Sequence, residues 1–241
     1  MDPEFKGFVQ IICLTKSTAY GELGPYCLRD ETGALIENAW QSIKCTEKTK
    51  ASVQKFPRSD RVIWNWPAEQ HIDPVTKTLL PAWFKWSKAL QEAKEPVRYP
   101  LTFHGRHETL GCYSAEHCKD THVDNLLGIV DSRRLIYFPK YIAAAKKHPL
   151  FKKLQDMLAA GMNLLIVDVD GPRSESLTYY REKYNVGADF IQSNTILATE
   201  ENLRIMLHDR KHSCGHTYGL AAALLGTESE AAFLEKKPTL D

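Results

Sequence analysis

Apolar residues run almost unbroken through Phe8-Val-Gln-Ile-Ile-Cys-Leu14, a pattern that predicts a buried strand. Residues 26–29 and 34–36 flank Asp30-Glu-Thr-Gly33 in the form of a hairpin, with Gly33 supplying the positive φ of a short loop. Glu37-Asn-Ala-Trp-Gln-Ser-Ile-Lys44 then has helical spacing, with Ala39 or Trp40 and Ile43 facing inward and Asn38 placed as an N-cap. A helix over 81–95 opens on a proline in its first turn and is closed by Pro96. Two more are predicted over 139–147 and 149–160, the second stopped by Gly161, followed by a strand over 164–169 that Gly171-Pro172 breaks. Helices over 174–184, 199–208 and 219–225 complete the pattern.

The stretch 55–100 differs in character: it holds Trp64, Trp66, Trp83 and Trp86 together with six prolines, and reads as an aromatic-rich insertion. The expectation is therefore one α+β domain over 6–226, with a small, mostly antiparallel sheet surrounded by helices, and a charged tail over 227–241. The helix–strand–helix run around Leu164 also suits a parallel element. Met1-Asp-Pro-Glu-Phe5 carries no signal-peptide features and reads like a cloning scar.

Composition narrows the function classes. With 241 residues and 43% apolar content the chain can bury a core and hold a pocket. No apolar run approaches the roughly 20 residues of a membrane span. The 31 basic and 30 acidic side chains leave a net charge of +1, so nothing demands a polyanionic partner, although a few local cations can still hold a small anion. The six cysteines are scattered without a CxxC pair, which points to reduced thiols in an intracellular, cytoplasmic or nuclear setting. The four tryptophans of the insertion lack the basic interleaving that single-stranded nucleic acid would require, and packing is the better explanation.

Four segments carry candidate chemistry. Glu37 at a helix start, with Trp40, Gln41 and Lys44 following, offers a carboxylate kept ionised by the helix dipole beside an aromatic ring, an amide and a cation. A capping glutamate over a core tryptophan would give the same pattern. Cys214-Gly-His-Thr-Tyr-Gly219 precedes an apolar helix, and its glycines let the backbone approach an anion at the helix N-terminus; a pliable lead-in to a buried helix is the plain alternative. Leu165-Ile-Val-Asp-Val-Asp-Gly-Pro172 resembles the nucleophile strand of haloacid-dehalogenase-type phosphatases, with Asp168 as nucleophile, Asp170 as acid/base and Mg²⁺ between them. Pro172 and the absence of a later Asp-Asp pair depart from that family; without it, the two aspartates are a polar strand end and turn. Finally, His104, His107, Cys112, His117, Cys118 and His122 include zinc-ligand types without zinc-site spacing, so no metal site is assigned. Arg98, His104, Arg106 and His107 make a cationic patch around Gly105 that suits a phosphate.

Taken together, the Ser17-Thr-Ala-Tyr20-Gly-Glu-Leu-Gly-Pro25 opening, the hairpin, Glu37-Asn-Ala-Trp40-Gln41-Ser-Ile-Lys44 and the closing Asp209-Arg-Lys-His-Ser-Cys-Gly215-His-Thr-Tyr-Gly-Leu-Ala-Ala-Ala-Leu-Leu225 resemble the NADAR superfamily of YbiA-like proteins. The anchors are Glu37, Gln41, Lys44, the glycines of the last loop and the apolar helix behind it, about a quarter of the chain. The resemblance implies a YbiA-like fold and cofactor-free N-glycosidase chemistry on ADP-ribosyl or phosphoribosyl compounds, with an ADP-ribosylated protein or a modified nucleic acid also conceivable as substrate. It casts Glu37 and Asp209 as catalytic carboxylates, and Tyr20, Gly21, Trp40, Gln41, Lys44, Gly215, His216 and Tyr218 as substrate contacts, to which the cationic patch adds Arg106. A non-catalytic ADP-ribose or nucleotide-binding module, and a Mg²⁺-dependent phosphohydrolase using Asp168 and Asp170, are the alternatives.

Overall fold

The computed structural model describes residues 5–14, 17, 19–55, 59–97 and 108–227. In chain order its strands are β1 (Val9–Ile12), β2 (Lys44–Thr46), β3 (Lys48–Thr49), β4 (Ser52–Lys55), β5 (Val62–Trp66), β6 (Glu69–Gln70), β7 (Thr109–Cys112) and β8 (Leu164–Val167). Its helices are α1 (Ile36–Ser42), α2 (Pro81–Gln91), α3 (Ile129–Ser132), α4 (Phe138–Lys147), α5 (Pro149–Ala159), α6 (Leu177–Tyr184), α7 (Glu200–His208) and α8 (His216–Leu225). The chain divides into two compact units, one built from Met1–Leu28 with Arg133–Asp241 and the other from the continuous segment Arg29–Ser132. Among the described residues no helix is long and apolar enough to cross a membrane.

In the continuous unit three antiparallel pairs form: β2 with β7, β3 with β6, and β4 with β5. The tryptophan-rich stretch, expected as an insertion, supplies this unit's core. Trp64 and Trp66 sit two residues apart on β5, hence on one face, and stack with centroids 5.3 Å apart. Trp83 and Trp86 come from the inner face of α2, and all three of Trp64, Trp83 and Trp86 are buried with Cys45, Ile72, Leu79, Leu90 and Val97. The indoles find partners: Trp64 Nε1 donates to Ser52 Oγ at 3.2 Å and Trp83 Nε1 to the Lys44 carbonyl at 3.0 Å.

Asn38 takes a role the sequence pattern did not suggest. Helix α1 begins one residue earlier than expected, with Leu35 as its N-cap, so Asn38 lies inside the helix and is fully buried. Its amide donates to the carbonyls of Ala93 and Glu95, both at 3.0 Å, and its oxygen accepts from Val97 N at 2.8 Å. One side chain thus satisfies three backbone groups of the segment leaving α2 and fixes it against α1. The predicted hairpin is present only as a single bridge between Arg29 and Leu35, closed by Gly33 at φ +85°.

In the discontinuous unit β1 and β8 pair in parallel, Val9 opposite Leu164 through Ile12 opposite Val167. Helix α8 packs on α4, α5 and α7. Gly219 allows its closest approach: a Cβ there would lie 2.5 Å from Phe138 Cδ1. Tyr141, buried on α4, donates from its hydroxyl to the Leu23 carbonyl at 3.0 Å. The sheet expected from the sequence is therefore four separate pairs among the described residues, three antiparallel and one parallel, within a mixed α and β architecture.

His71 is fully buried in the continuous unit, and neither of its ring nitrogens has a hydrogen-bond partner among the described residues. Its ring lies 5.3 Å from that of Trp86, and burial pushes its pKa down to about 4. The unfolded chain, with an ordinary histidine pKa of 6.5, binds the proton first, so stability is lost as pH falls from 6.5 towards about 4. Wild-type protein should lose roughly 2 kcal/mol between pH 7 and pH 5 from this group. Urea unfolding at the two pH values should show that slope flattened in His71→Phe; equal slopes would contradict it.

Candidate functional site

The residues singled out from the sequence fall in both units. Glu37, Trp40, Gln41 and Lys44 belong to the continuous one, and Tyr20, Gly21, Asp209, Gly215, His216 and Tyr218 to the discontinuous one. Arg106, with Arg98, His104 and His107 of the expected cationic patch, lies outside the described residues.

Glu37 occupies the first turn of α1 and is 8% exposed. Its Oε1 accepts from Gln41 Nε2 at 2.9 Å, one helical turn on. Gln41 Oε1 in turn accepts from Lys44 Nζ at 2.7 Å, and the same ammonium lies 5.1 Å from the centre of the Trp40 ring. The amide is thus oriented by its neighbours, nitrogen towards the carboxylate and oxygen towards the cation. Lys44 reaches this position from β2, since α1 ends at Ser42, so the lysine is not on the helix as its i+7 spacing from Glu37 suggested. Trp40 is half-buried.

In the discontinuous unit two segments weighed separately in the sequence come together. Asp168 follows the end of β8, and its side chain, 7% exposed, meets the first turn of α8. Its Oδ2 accepts from Thr217 Oγ1 at 3.0 Å and lies 3.2 Å from His216 Nδ1, while its Oδ1 accepts from the backbone N–H of Val169 at 2.7 Å. Helix α8 starts three residues before its predicted start, which moves His216 and Tyr218 from an approach loop onto its first turn. Gly215 is its N-cap, and a Cβ there would fall on Asp168 Oδ2; at Gly171 one would lie 2.8 Å from Tyr218 Oη. Burial holds the His216 imidazole below its ordinary pKa against the opposing pull of Asp168, so the ring is neutral near pH 7.

The Asp168 carboxylate is occupied by protein donors, and among the described residues no three His, Cys, Asp or Glu side chains converge as metal ligands. The cysteines of the zinc candidate make ordinary weak contacts instead: Cys118 Sγ donates to the Cys112 carbonyl at 3.7 Å and accepts from Ser114 N at 3.4 Å. Tyr20 is buried, its hydroxyl 3.8 Å from Met157 Sδ, and Gly21 opens a one-turn 3-10 helix where a Cβ would lie 2.7 Å from the Leu14 carbonyl oxygen.

Asp209 is a hub. It has no solvent exposure, and both its oxygens are filled: Oδ1 accepts from Tyr179 Oη at 2.8 Å and Lys211 N at 2.9 Å, Oδ2 from Tyr180 Oη at 2.6 Å and His212 Nδ1 at 2.7 Å. Burial alone would raise its pKa, but these hydrogen bonds prevail and hold it below the usual carboxylate value. Arg133 fixes the backbone around it, donating to the carbonyls of Leu207 at 3.3 Å, Asp209 at 2.6 Å and His212 at 3.4 Å. Four donors of the protein itself thus surround the Asp209 carboxylate. The sequence reading overlooked Tyr179, Tyr180, His212 and Arg133; the only local signals were the i, i+3 spacing of Asp209 and His212 and the adjacent tyrosines.

Comparison with protein-family models, with curated proteins and with solved structures finds no match.

Because the Asp209 pKa is depressed on folding, the stability it contributes is complete above its unfolded value of 3.8 and is lost as pH falls through the folded value. Asp209→Asn should cost roughly 3 kcal/mol at pH 7, since the new NH₂ would face existing donors. Thermal unfolding should also show a weaker acid dependence below about pH 4 in the variant. An unchanged melting temperature at pH 7 would refute the hub role.

Proposed function

We propose that the protein hydrolyses the C–N glycosidic bond of an ADP-ribosyl or phosphoribosyl compound, with Glu37 as the catalytic carboxylate. The observation that carries this reading is the nearly buried Glu37 carboxylate, bonded to Gln41, whose amide is oriented by Lys44 beside the half-buried Trp40. The resemblance of these residues to the NADAR superfamily supports the same reading. As the base departs with the bonding electrons, positive charge develops at the ribose C1′. An ionised carboxylate in a poorly solvated site stabilises that charge and takes the proton of the attacking water. Trp40 offers a stacking surface for a ring, and Lys44 a cation for a phosphate.

The second reading is a module that binds ADP-ribose or a nucleotide without turnover. It is favoured by the hydrogen bond that already occupies one oxygen of Glu37.

Turnover of a panel of ADP-ribosyl and phosphoribosyl compounds, followed by release of base or ribose phosphate, tests both. The proposal expects release that survives EDTA and falls at least about 100-fold in Glu37→Ala. Binding without release, retained in Glu37→Gln, would replace it with the binding module, and phosphate release abolished by EDTA would replace it with a metal-dependent phosphohydrolase.

A further inference from the structure

The Asp209 hub continues outward to a hydroxyl. Beyond its bond to Asp209, His212 places Nε2 3.0 Å from the Oγ of Ser176. Solvent exposure rises along the line: Asp209 is fully buried, the His212 side chain is 20% exposed and Ser176 is half-buried. Ser176 ends a 3-10 turn (Ser174–Ser176) and immediately precedes α6, whose N-terminal dipole favours negative charge on its oxygen.

The tautomer of His212 follows from its partners. The Tyr180 hydroxyl, its pKa raised by burial and by Asp209, stays protonated and donates to the Asp209 carboxylate at 2.6 Å. Nδ1 of His212, 2.7 Å from the same carboxylate oxygen, therefore carries the ring proton. Nε2 is left with its lone pair facing the Ser176 hydroxyl. The ring cannot easily turn away, because it stacks on Tyr180 at 5.2 Å and meets Tyr179 edge-on at 5.2 Å. Arg133 holds the backbone on both sides of it. A hydroxyl on a partly exposed serine, a base pointed at it and a buried carboxylate orienting that base are the three parts of an activated serine.

We propose that Ser176, His212 and Asp209 form a second hydrolytic centre, acting on carboxylic esters and independent of the Glu37 reading. Ser176 Oγ attacks the ester carbonyl as its proton passes to His212 Nε2. The ester C–O bond then breaks and the alcohol leaves with that proton. Water, deprotonated by His212, cleaves the acyl-serine to release the acid and restore the hydroxyl. Asp209 is a positioning residue: it keeps the Nδ1 proton in place and stabilises the imidazolium without leaving its own hydrogen bonds.

The test uses the full chain and an alkyl fluorophosphonate, which phosphonylates an activated serine with loss of fluoride. Intact-mass and peptide mass spectrometry should show one adduct per chain, located at Ser176. Its rate should fall at least about 100-fold in His212→Gln, with near-ultraviolet circular dichroism confirming that variant's fold. Hydrolysis of p-nitrophenyl acetate should fall in Ser176→Ala while Ser174→Ala retains it. No adduct on the wild-type protein, an adduct at another residue, or labelling of Ser176 at an equal rate in folded His212→Gln would each overturn the proposal.

Discussion

A carboxylate removed from water must be met by donors, and in the discontinuous unit Asp209 gathers two tyrosine hydroxyls, a histidine and a backbone N–H around itself. Those donors come from α6 and from the loop ahead of α8, so one ion sets the distance between a helix and a loop that share no backbone hydrogen-bond ladder. Arg133 completes the arrangement from outside by binding carbonyls of the same loop. The loop in turn delivers Gly215 to the start of α8, where the side chain of Asp168 leaves no room for a Cβ. Asp209, His212 and Arg133 are thereby tied into one polar network.

The continuous unit uses its buried polarity differently. Its core is aromatic, and its buried polar atoms serve mainly to join segments: Asn38 holds the chain leaving α2, and the indoles of Trp64 and Trp83 bond to Ser52 and to the carbonyl of Lys44. The Lys44 backbone is therefore held by Trp83 while its side chain bonds Gln41. The position of the cation in the Glu37 group depends on a tryptophan from the core. His71 is the exception, a buried ring whose nitrogens face no donor or acceptor among the described residues.

The helices were legible in the sequence because prolines, glycines and apolar spacing mark their ends; α2, α4, α5 and α7 lie within a few residues of the expected positions. Strand partners were less so. Period-two alternation identifies a strand without naming what it pairs with, and the parallel match of β1 to β8 joins segments roughly 150 residues apart. Dense proline and tryptophan hid β5 and β6, because an aromatic residue on a short two-stranded pair looks locally like one in a loop. Of the site residues, the helical spacing of Glu37 and Gln41 revealed their contact. The environments of Asp209 and His216 were invisible, since their partners lie about 30 and 50 residues away in sequence, where local pattern has no reach.

The division of the chain also has a consequence for the order in which the molecule takes shape. Arg29–Ser132 is a single uninterrupted length, so every contact within it is available once that length has been synthesised. The other unit has no such freedom: β1 emerges early but has to wait for β8, roughly 150 residues later, and its exposed edge remains a strand without a mate throughout that interval. Arg29–Ser132 can therefore close on its own contacts while β1 still waits for β8.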